Sequence, residues 1–173
     1  MIGYTFLSDA EPYPDQPKHW QVVMRQRTPR RTWYAPRLRD QWAQLAQAAD
    51  QLLDARRKKD PASIAKRRMT VATARQRERI MAAVAALWRD VERRKELAAP
   101  IDWPQVYGAT WLEMLTDLRT VAQAATALTD QTMAGCAIAL AWHFEPITDG
   151  GPPHIVVAAD YVRNAPRPNR EAA

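Results

Sequence analysis

Residues 60–99 read DPASIAKRRMTVATARQRERIMAAVAALWRDVERRKELAA, and how this stretch folds decides the architecture. Asp60-Pro61 has the form of a helix start. Aspartate can cap free N–H groups, and proline fits the first turn. The residue before a proline is also pushed out of helical geometry, so a preceding helix should end there. Met69, Ile80, Met81, Val84, Leu87, Trp88 and Val91 fall on one side at 100° per residue. Arg68, Arg75, Arg79, Arg89 and Arg93 fall on the opposite side, with Arg67 on the flank. The pattern predicts one amphipathic helix over about 61–97. At 1.5 Å per residue, its arginine stripe from Arg68 to Arg93 would extend roughly 37 Å.

On the N-terminal side, Leu38, Trp42, Leu45, Ala49, Leu52 and Leu53 repeat at helical spacing. They predict a helix over about 36–58, with Pro36 in its first turn and Arg39, Asp40, Gln47, Asp50 and Lys58 on a solvated face. The short connection predicts an antiparallel helical hairpin. On the C-terminal side, Asp102-Trp103-Pro104 repeats the start signal. Tyr107, Trp111, Met114, Leu115, Leu118, Ala122, Ala125 and Leu128 then predict a third helix over about 103–129. The 13 prolines avoid 37–60, 62–99 and 105–145, which marks the same three windows as regular segments.

The chain ends carry a different period. In 134–145, Cys136, Ile138, Leu140, Trp142 and Phe144 alternate with Ala137, Ala139, Ala141, His143 and Glu145. Ile155, Val157, Ala159 and Tyr161 alternate in the same way. Residues 131–163 thus read as a β-hairpin, or as a helix followed by a strand. Ile2, Tyr4 and Phe6, and then Trp20, Val22 and Met24, give residues 1–35 the pattern of an extended arm with strands. The Pro/Arg-rich residues 164–173 read as a disordered tail. The fold class expected is mainly α with a minor β part. A helical hairpin and a third long helix form the body at 36–130, and the chain ends form a small antiparallel sheet or hairpin.

Charge is divided unevenly. Residues 1–95 carry 21 Lys/Arg against 10 Asp/Glu, a net of +11, whereas residues 96–173 carry 4 against 9, a net of −5. A one-sign field on part of a chain points to a polyanion. Of the 25 basic residues 20 are arginine, a side chain suited to bidentate phosphate contacts. An Ala/Arg bias from a GC-rich genome would give the same ratio, so placement carries more weight than number. Guanidinium groups spaced along a rigid helix can follow phosphates without reading sequence. The candidate contacts are Arg67, Arg68, Arg75, Arg79, Arg89 and Arg93, the expected hinge Arg56, Arg57, Lys58 and Lys59, and the turn arginines Arg30 and Arg31. An exposed charged helix face with no partner is the competing explanation.

The functional expectation is a non-catalytic protein that binds RNA or DNA backbones without sequence preference. It could serve as a small helical subunit of a larger ribonucleoprotein or DNA-processing complex, with its acidic C-terminal half meeting a protein partner. The alternative is a protein-interaction module, such as a phage or plasmid assembly factor or an inhibitor of a host complex, whose basic helix meets an acidic partner. An enzyme ranks last. His143, Glu145, Asp149, His154 and Asp160 could converge in a hairpin, but their spacing matches no metal signature and no catalytic set emerges. No cofactor or metal is expected. The single Cys136 cannot form an internal disulfide, the first residues have no basic stretch before an apolar run, and no 18 consecutive residues are apolar. Together these predict a cytoplasmic protein off the membrane.

Overall fold

The computed structural model describes residues 35–125, 130–148 and 150–165 in full, and the backbone of 2–6, 22–26 and 32–33. The molecule is mainly helical. Its elements are α1 (Trp42–Ala65), α2 (Val71–Glu92), α3 (Trp103–Val106), α4 (Trp111–Ala125), α5 (Gln131–Phe144) and α6 (His154–Asn164). A 3-10 turn at Pro100–Asp102 precedes α3. The N-terminal backbone forms β1 (Ile2–Phe6), β2 (Val22–Gln26) and β3 (Thr32–Trp33), paired antiparallel in that order.

Helices α1 and α2 pack as an antiparallel hairpin, α4 and α5 pack on one another, and α1–α5 and α2–α4 contacts close a four-helix ring. Leu45, Ala49 and Leu53 of α1 meet Met81, Val84 and Trp88 of α2, Met114 and Leu118 of α4, and Leu140 and Phe144 of α5 in one core. Helix α6 covers it with Ile155 and Ala159, and Trp103 of α3 is fully buried. Burying side chains of this size contributes about 1.5–3 kcal/mol each.

The helix boundaries differ from the sequence expectation. Helix α1 runs through Pro61 to Ala65, so Asp60-Pro61 is not a start. Proline removes one N–H bond, but Asp60 turns inward and the chain reaches a better stop five residues on. There Arg67 takes φ 54, and Arg67 N–H and Arg68 N–H bond to the carbonyls of Ile64 and Ser63. This is a Schellman stop with arginine at the left-handed position that glycine usually fills. Arg94, at φ 59, closes α2 in the same way. The start of α2 is Thr70, whose Oγ1 accepts the Thr73 N–H at 3.0 Å. The helix expected over 61–97 is therefore the end of one helix, a turn, and a shorter second helix.

Two other boundaries move for similar reasons. Residues 36–40 form turns, with Arg39 N–H on Pro36 O and Gln41 N–H on Leu38 O, so regular helix begins only at Trp42. The helix expected over 103–129 is divided. Gly108 at φ 90 ends the short α3, and a Thr110/Glu113 capping box starts α4.

Of the two readings of 131–163, the β-hairpin is corrected in both arms, and the helix-then-strand alternative holds for its helix but not its strand, because 131–144 and 154–164 are both helices. The alternation in 134–145 is one of size and not of burial. Ile138 is 40% exposed, while Ala137 and Ala139 are buried. Alanines on several faces let α5 sit deep among its neighbours. In α6 the buried apolar set is Ile155, Ala158, Ala159 and Val162, the i, i+3, i+4, i+7 spacing of one helix face, with His154 also buried and Val157 exposed. Neither C-terminal segment can join the N-terminal strands as a sheet. The expected disordered tail lies almost wholly outside the described residues, beyond Ala165.

Candidate nucleic-acid interface

The antiparallel hairpin brings charges from α1 and α2 together in register. Asp50 accepts two hydrogen bonds from Arg89, at 3.1 Å from Nε and 2.6 Å from Nη2. Arg57 Nε donates to Glu78 at 2.8 Å, and Arg77 lies 3.7 Å from Asp60. Helix α4 takes two more arginines. Arg56 is buried and donates to Asp117 Oδ2 at 2.7 Å and to the Arg77 carbonyl. Arg79 donates to the Gly108 carbonyl and to Glu113. The bond from Arg79, with those from the N–H and hydroxyl of Thr110, holds the Glu113 carboxyl pKa down to about 2.

The arginines nominated from sequence thus divide into two groups. Arg56, Arg57, Arg79 and Arg89 are neutralised by acids of the fold. Among the described residues, Lys58, Lys59, Arg67, Arg68, Arg75 and Arg93 are exposed and make no ion pair. The continuous stripe is corrected, since Arg67 and Arg68 lie in the turn and Arg93 caps the far end of α2. Arg30 and Arg31 lie outside the described residues.

Five of these six surround the hairpin tip, where exposed Lys66 joins them. Lys66 was missed because its direction on a single 61–97 helix puts it off the arginine stripe. The signal was present nonetheless: residues 61–77 contain five basic residues and no acid. Beside the turn lies a concavity of about 560 Å³ lined by Ile64, Arg67, Arg68, Met69, Thr70, Val71 and Thr73. Cationic side chains, a hydroxyl pair and the positive end of α2 are suited to contact with phosphate oxygens.

The histidine and acid cluster does not assemble into a site. His143 is fully buried among Trp42, Trp88 and Trp142, and its Nε2 donates to the Arg39 carbonyl at 2.7 Å. Burial lowers its pKa to about 3. His154 stacks on Trp142 at 4.0 Å, and burial lowers its pKa to about 4. Glu145 is clasped by Arg119 through two bonds, and Asp160 pairs with Arg163. Asp149 is outside the described residues. No group of three metal-ligating side chains occurs among the described residues. Arg39, expected on a solvated face, is buried, because its segment is pinned to α5 through His143. Cys136 is buried as well, which raises its thiol pKa.

Comparison of the chain with protein-family models, with curated proteins and with solved structures found no match. Among the described residues no helix is long and apolar enough to cross a membrane.

Proposed function

We propose that this chain is a non-catalytic protein that binds nucleic-acid backbones through the tip of its α1–α2 hairpin, as a small helical subunit of a larger nucleic-acid-processing complex. One observation carries the reading. The fold neutralises the arginines along the hairpin body and leaves Lys58, Lys59, Lys66, Arg67, Arg68 and Arg75 exposed and unpaired at one end. Like charges gathered without counter-ions repel one another, and a polyanion relieves that repulsion while releasing its own counter-ions.

The test is fluorescence anisotropy of labelled DNA and RNA at 50–200 mM salt. K58E/R68E/R75E is expected to weaken binding more than about a hundred-fold, and R93E, at the other end of α2, only a few-fold. Circular dichroism should report unchanged helix content for both. Binding that is absent, or indifferent to salt, overturns the reading.

A protein partner on the acidic C-terminal half is the second reading. It is favoured by Ile101, Val106 and Leu112, which are 82%, 55% and 68% exposed, and by the exposed Asp102 beside Ile101. Recovery of one stoichiometric protein after nuclease treatment, lost in I101S/L112S, would support it.

A further inference from the structure

Resting on the nucleic-acid reading, we infer that the hairpin tip takes a double-stranded backbone and not a single strand. Charge density favours the duplex. Lys58 to Lys66 is eight residues, about 12 Å of helix axis, and Arg75 lies about 6 Å along α2 from its first residue. The six unpaired cations therefore occupy about 12 Å of hairpin, one every 2 Å or so. A duplex presents one negative charge per ~1.7 Å of axis, and one strand presents one per ~3.4 Å. The patch matches the duplex.

Rigidity favours it too. Lys58 and Lys59 stand on α1 and Arg75 on α2. The turn that carries Lys66, Arg67 and Arg68 is closed by backbone hydrogen bonds to Ala62, Ile64 and Ser63. A fixed array suits a fixed lattice of phosphates. A flexible strand would lose conformational freedom on such an array, with only half as many charges to offset it.

The composition of the tip favours the duplex as well. Single strands are held by aromatic rings that face solvent beside the cations. Among the described residues from 58 to 75 there is no aromatic, and the tip concavity is lined by aliphatic, hydroxyl and cationic side chains.

The experiment titrates the full chain against a 24-base-pair DNA duplex, the corresponding RNA duplex, and one strand of each, from 50 to 200 mM salt. Binding to at least one duplex is expected to be ten-fold or more tighter than to either strand. With six phosphates neutralised, duplex affinity is expected to fall about a thousand-fold across that salt range, whereas three contacts to a strand would cost about twenty-fold. K58Q/K59Q should reduce the duplex loss to about a hundred-fold. The DNA and RNA arms identify which duplex is taken, and tighter binding to either supports the inference. Equal or tighter binding to single strands overturns it while leaving the backbone-binding reading intact. Failure to bind all four probes overturns both.

Discussion

Arg56 of α1 reaches Asp117 of α4, with Nη2 2.7 Å from Oδ2 and both side chains largely buried. The two residues are 61 positions apart, one in the basic half of the chain and one in the acidic half. Arg79 and Glu113 repeat the arrangement. Opposed charges of the two halves therefore meet across the bundle, buried at Arg56–Asp117 and solvent-accessible at Arg79–Glu113.

Truncating one partner of such a pair leaves the other charge buried. Arg56→Met is expected to cost about 3 kcal/mol in urea denaturation, since it strands both Asp117 and the Arg77 carbonyl. R56M/D117L should recover much of that loss, because no lone carboxylate remains. Nucleic-acid affinity per folded molecule should change little in either, in contrast to the tip variants.

Arg67 holds a left-handed backbone at φ 54, where a side chain is strained. Arg67→Gly is expected to stabilise the protein by about 0.5–1 kcal/mol and to weaken nucleic-acid binding at the same time. Thermal denaturation and anisotropy on the same variant measure both. Loss of both stability and binding would mean that Arg67 serves the fold. Arg94→Gly should gain less stability, since Arg94 also donates to the Ala165 carbonyl.

Acid should weaken the fold early. His143 and His154 bind protons in the unfolded chain near 6.5 and in the folded chain only near 3 and 4. Between those values the unfolded state holds more protons, so stability falls as pH drops from about 6.5. Each histidine removes up to about 1.4 kcal/mol per pH unit across its own window. Urea titrations at stepped pH should record this slope. His143→Leu should flatten it, although the variant is weaker at pH 7 because the Arg39 carbonyl loses its donor.

The capping box at the start of α4 is a separate test. Thr110→Ala is expected to cost about 1 kcal/mol and to raise the Glu113 pKa only modestly from about 2, as the Oγ1–H bond to that carboxylate is lost while Arg79 and the backbone N–H of residue 110 still hold it. Because the folded pKa is depressed, this stabilisation is complete above about 4.5 and disappears as pH falls toward 2. NMR titration of the Glu113 side chain reads the shift directly.

The sequence by itself determined that helices dominate, that α1 and α2 form a hairpin, and that cations concentrate between residues 56 and 93. Spacing at 3.6 and the distribution of proline and charge are local properties of the chain. Some boundaries were also legible in principle: Thr70 with Thr73 and Thr110 with Glu113 are cap signatures, and they outweighed Asp60-Pro61. Residues 134–145 misled because alanines alternate there with large side chains, and a two-residue period in size imitates a strand. Only the tertiary structure decided which arginines are free. Counter-ions for Arg56, Arg57, Arg79 and Arg89 come from residues 21 to 61 positions away, so no helix-face pattern can reveal them. A charge is available to a ligand only when the fold has not already matched it, and that depends on which helices become neighbours.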